Sequence, residues 1–63
     1  MSTKMYVWSY SLTPRDVDDL KIFGHLVMPT ECGVTVAAKL ATDYETHFVT
    51  YLALLGEVEI VNE

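Results

Sequence analysis

Cysteine, glycine, proline and positive charge are all scarce in this 63-residue chain. The single cysteine, Cys32, cannot close an internal disulfide, so the staple of small secreted scaffolds is missing and a reducing cytoplasm is the expected compartment. Three glycines and two prolines beside 51% hydrophobic residues exclude the apolar-poor composition of a disordered chain. No apolar run approaches the roughly 20 residues that span a bilayer; the longest aliphatic one is residues 52–55. No charged-then-apolar leader opens the sequence, which predicts a protein not exported through a secretory signal. The length allows one domain, 1–63, and excludes repeat arrays and multidomain enzymes.

Only Lys4, Arg15, Lys21 and Lys39 stand against nine Asp and Glu, a net charge of −5. Nucleic-acid binding draws its affinity from cations placed on phosphates, and four scattered cations make no such stripe. Direct DNA or RNA binding and attachment to anionic membranes are therefore not expected. A negative field steers instead toward basic protein surfaces, including those that handle nucleic acid.

Motifs for chemistry are missing as well. Asp16, Asp18 and Asp19 form a D-x-D-D cluster, but acids in a first helical turn answer the helix dipole without any metal. His25, Cys32 and His47 lack zinc-site spacing, and a Cys32–histidine nucleophile has little room for a substrate pocket in so short a chain. There is no glycine-rich phosphate loop. No cofactor or metal is expected, and the sequence does not read as an enzyme.

What is present is periodicity. Residues 5–12 alternate, with Tyr6, Trp8, Tyr10 and Leu12 on one face and Met5, Val7, Ser9 and Ser11 on the other, which predicts a strand. Thr13-Pro14-Arg15-Asp16 resembles a helix start, predicting a short helix that buries Val17, Leu20 and Phe23 and ends at Gly24. Residues 25–28, stopped by Pro29, read as a short edge strand. Residues 34–40 alternate as a strand after Gly33, although Val34, Ala37, Ala38 and Ala41 also suit a helix. Thr42-Asp43-Tyr44-Glu45 has the form of a capping box. Tyr44, Phe48, Tyr51, Leu52 and Leu55 then fall on one helical stripe ending at Gly56. Residues 57–61 alternate as a closing strand with Val58 and Ile60 facing inward.

The resulting expectation is an α+β two-layer sandwich, a small antiparallel sheet of three or four strands with two helices on one face. In order β-α-(β)-β-α-β, this is the split βαβ arrangement of ferredoxin-like domains, an architectural likeness without a family motif. RNA-recognition domains of that architecture stack bases on aromatics of their central strands. Residues 34–40 offer no aromatic for this purpose.

Chains below about 70 residues usually need a staple or an oligomer, and no staple is visible. Seven aromatics, seven leucines and eight valines exceed what two thin layers can hide. The functional expectation is a non-enzymatic binding module, a small acidic inhibitor or regulator of the kind viruses and mobile elements encode, which occupies a basic or apolar surface of a host protein. Tyr6, Trp8 and Tyr10 are its candidate aromatic anchors, with Glu57, Glu59, Asp16 and Asp19 as candidate carboxylates that imitate phosphates. An assembly protein that homo-oligomerises, as a symmetric dimer, is the alternative. A small Cys/His metal protein or enzyme ranks last.

Overall fold

The computed structural model describes residues 2–61. Its elements run β1 (Ser2–Pro14), β2 (Ile22–Met28), α1 (Gly33–Asp43) and β3 (His47–Val61). The sheet order is β2-β1-β3, and β1 pairs antiparallel with both neighbours. Only the middle stretch of β1 is flanked on both sides: residues 6–12 meet β2, whereas β3 follows β1 from Ser2 to Pro14. Residues 2–5 and 58–61 therefore leave the body as a two-stranded ribbon, and the molecule measures 46 × 18 × 18 Å.

The aromatic alternation of β1 governs the packing. Tyr6, Trp8, Tyr10 and Leu12 share a face with their partners Met28 and Leu26 on β2 and with Leu54, Leu52 and Val49 on β3. Helix α1 lies on this face. Val36 and Leu40, one turn apart, are fully buried there beside Trp8 and Met28, with Tyr6, Tyr10, Leu26, Val49 and Leu52 around them. The Trp8 indole N–H donates to the Thr30 carbonyl at 3.1 Å, so the largest core side chain also anchors the β2–α1 connection. Thr30 Oγ1 accepts the Cys32 N–H and tightens the chain just before the helix.

Two bulges shape β3. Between Ser11 and Leu12 the pairing skips Thr50, and between Val7 and Trp8 it skips Leu55. Thr50 uses its extra position to lie 2.8 Å from Ser11 Oγ and to donate to the Ser11 carbonyl. The first bulge is thereby locked by side-chain hydrogen bonds.

The expected sandwich of two helices and three or four strands is corrected to one short helix on a three-stranded antiparallel sheet, only loosely α+β. The segment expected to form a helix after Thr13 instead continues β1 to Pro14, turns through the Val17 N–H to Pro14 carbonyl bond, and enters β2 at Ile22. Proline fits at residue 14 because β2 reaches only Leu12, so no ladder bond on that side needs its N–H. Gly24 does not end a helix. It pairs with Tyr10 and leaves room for that ring, since an added Cβ would stand 2.6 Å from Tyr10 Cζ.

Residues 34–40 are helix, not strand, and the alanines that favoured the helical alternative win because Val36 and Leu40 cap Trp8. The apparent capping box sits at the wrong end of α1: the Thr42 hydroxyl donates back to the Ala38 carbonyl, inside the last turn. The expected second helix is the first part of β3, where pairing with β1 from Pro14 to Trp8 overrides the helical spacing of Phe48, Tyr51, Leu52 and Leu55. Residues 25–28 are strand as expected, within a longer edge strand stopped by Pro29.

Packing of this kind makes sharp contrasts testable. Leu40→Ala should cost about 2–5 kcal/mol in urea denaturation, whereas Val34→Ala, on the exposed side of the same helix, should change stability by less than about 0.5 kcal/mol. Gly24→Ala should cost about 1–3 kcal/mol by displacing Tyr10, while Gly56→Ala, which meets no neighbouring atom, should be tolerated.

Candidate interaction surface

The opposite face of the sheet carries no layer. Alternation and register place there Ile60 with Thr3, Val58 with Met5, Val27 and Gly56 about Val7, His25 and Ala53 about Ser9, Phe23 and Tyr51 about Ser11, and Phe48 with Thr13. Phe23, Val27, Phe48, Tyr51, Val58 and Ile60 are all exposed, Phe23 by 73%. Between the rings the central strand holds only small hydroxyl side chains: Ser11 and Thr13 are buried by their larger neighbours on the edges. Among the described residues, exposed large apolar side chains outnumber the five buried ones, Trp8, Leu12, Met28, Val36 and Leu40.

None of the residues paired on this face is Asp, Glu, Lys or Arg. At one end Arg15, from the β1–β2 connection, lies over the Phe48 ring at 5.2 Å from its centroid. The ribbon makes the asymmetry plainest. Helix α1 does not extend over it, yet Lys4 and Glu59, with Val61 and with Glu57 just before the ribbon, take the helix side, Lys4 Nζ lying 3.7 Å from Glu57, while Met5, Val58 and Ile60 take the bare side with Thr3. Val58 and Ile60 do alternate with acids as the sequence suggests, but the face they occupy is uncovered; the expectation that they point inward is corrected.

The expected anchors fall elsewhere. Trp8 is core, and Tyr6 and Tyr10 are half-buried against it beneath the helix. The Tyr10 phenol is held above its ordinary value, chiefly by its hydrogen bond with Tyr44 and secondarily by burial. Nor does the structure gather the expected carboxylates. Asp16 and Asp19 lie just beyond Pro14, whereas Glu57 and Glu59 pair with Tyr6 and Lys4, about 30 Å away along β1 at ~3.3 Å per residue. Phe23, Tyr51 and Phe48 were missed as surface residues because each was assigned to the apolar stripe of a helix.

No pocket opens among the described residues, and no group of three or more His, Cys, Asp or Glu side chains among them could hold a metal. His25 is on β2, His47 bonds Thr46 through Nδ1 beside the Tyr44 ring, and Cys32 precedes α1. No described helix is long and apolar enough to cross a membrane.

Cys32 is exposed, and hydrogen bonds from the Thr35 hydroxyl, then from the Thr35 and Val34 backbone N–H groups, hold its thiol below the ordinary value. Thr35→Val should therefore shift the pH dependence of Cys32 alkylation upward. Because the folded value is the lower one, the thiolate favours the folded state fully above the ordinary thiol range, and that contribution disappears as the pH falls through the folded value. Denaturation midpoints of the wild type and Thr35→Val should accordingly draw together on acidification.

No protein-family model matches the chain, and neither curated proteins nor solved structures give a match.

Proposed function

We propose that the protein is a non-enzymatic binding module that works by laying the bare face of its sheet against another protein. The observation that carries this reading is the contrast between the faces of the sheet: Lys4, Glu57 and Glu59 lie on the helix side together with Val61, whereas the residues paired on the bare side include Phe, Tyr, Val, Ile and Met but no Asp, Glu, Lys or Arg. Solvation alone favours charge on both. A face whose paired residues carry no Asp, Glu, Lys or Arg and are furnished with Phe, Tyr, Val and Ile has the composition of an interface centre, in which charged residues are depleted and aromatics enriched. The acids beyond the face keep the rest of the surface soluble. The lone free cysteine suits a reducing cytoplasm.

The imitation of phosphate has less support, since its carboxylates are divided between the two ends of the sheet and Glu57 is already engaged by Lys4.

Photo-cross-linking tests the face directly. A benzophenone amino acid at Val27 or Tyr51 should give protein adducts in cells, and the same group at Val34, exposed on the outer side of α1, should give none. Adducts confined to Val34, or absent from both face positions, would overturn the reading.

A further inference from the structure

We propose that the partner of the bare face is a second copy of this chain, two sheets packing face to face about a two-fold axis. This rests on the reading of that face as a protein-binding surface and names its occupant.

The charge pattern comes first. A chain of net charge −5 can meet itself only through a patch that places no acid against its own image, and the residues paired on the bare face include none. A basic partner would find no carboxylate opposite its cations there, so charge complementarity selects an apolar, neutral counterpart. An identical face supplies one.

Area agrees with this choice. The 46 × 18 Å outline of the molecule bounds this face at on the order of 800 Å², close to what each side of a standard stable interface contributes. Sheets that pack face to face do so about 10 Å apart with their inner side chains interleaved. Rings at one end of this face, small Ser9, Ala53 and Gly56 beside Val7, Val27 and His25 in the middle, and Met5, Val58 and Ile60 at the other end provide the relief for such interleaving.

Stability supplies the third reason. Among the described residues, five buried apolar side chains without a disulfide make a thin core for a folded chain of this length, and the usual remedy is association. The second copy is present wherever the first is made, so the open sheet is never obliged to await a different protein. Ribbon residues 2–5 and 58–61 gain most, because a lone two-stranded ribbon is marginal in water.

Sedimentation equilibrium on the full chain decides the matter. At micromolar concentration the wild type should have twice the 7.1 kDa chain mass, and its thermal midpoint should rise with protein concentration. Added salt should tighten the association by screening the acids outside the contact, the reverse of what a basic partner would show. Phe23→Asp and Tyr51→Asp should each weaken the dimer roughly 30-fold or more, as loss of an aromatic anchor does, while Val34→Asp should leave it intact. Phe23→Ser makes the same comparison without a new charge should either aspartate variant lose its far-ultraviolet dichroism. A wild type that stays monomeric at all soluble concentrations, or a dimer indifferent to Phe23 and Tyr51 substitutions, would overturn the proposal. A monomer whose Val27 cross-links to a different protein would overturn only the second copy, whereas a monomer with no cross-link would remove the binding face as well.

Discussion

One helix against a three-stranded sheet is the constraint from which everything else follows. A sheet has two faces, and α1 covers only part of one. Burial of apolar area is the main favourable term in folding. Here it is concentrated where Val36 and Leu40 meet Trp8 and Met28, with Leu12 buried further along β1. The indole bond to Thr30 ties the same residue to the connection that delivers the helix, so one side chain both fills the core and positions its lid.

The two bulges in β3 belong to the same economy of space. Each inserts a residue without a pairing partner, turns the strand, and resets which side chains reach the helix side. Val49, Leu52 and Leu54 serve the covered face, while Phe48 and Tyr51 are released to the bare one. The Ser11–Thr50 hydrogen bonds hold the bulge beside Tyr51 and engage Ser11, which lies between Phe23 and Tyr51, so the polar atoms beneath the rings are satisfied before any partner arrives.

Several elements were legible in the residues. The alternation of residues 5–12 fixes β1, and Pro29 ends an edge strand that the apolar residues 25–28 announce. The middle of the chain was harder because its local signals conflict. Thr42-x-x-Glu45 has the form of a helix start, yet the threonine closes a last turn. Phe48, Tyr51, Leu52 and Leu55 fit a helical stripe because bulges at Thr50 and Leu55 break the period of two that would have marked a strand. Asp16, Asp18 and Asp19 suit a helical first turn equally well as the solvated loop they occupy. Of the candidate surface, the excess of apolar bulk and the opposition of Met5 and Val7 to the aromatic trio were readable; the identities of Phe23, Phe48 and Tyr51 as its rings were not.

By itself the sequence determined that β1 would be amphipathic in an unusual sense, with large rings on one side and smaller apolar groups on the other, and that acids would dominate whatever surface remained. Those properties are local and depend only on residue order. Which side the helix would choose, and whether residues 47–56 would coil or extend, was decided by pairing between positions some 40 residues apart in sequence, such as Ser11 with Tyr51. Long-range ladder bonds and the fit of Trp8 under Val36 and Leu40 outweigh helix propensities worth a few tenths of a kcal/mol per residue, about the scale of the local preferences that pointed the other way.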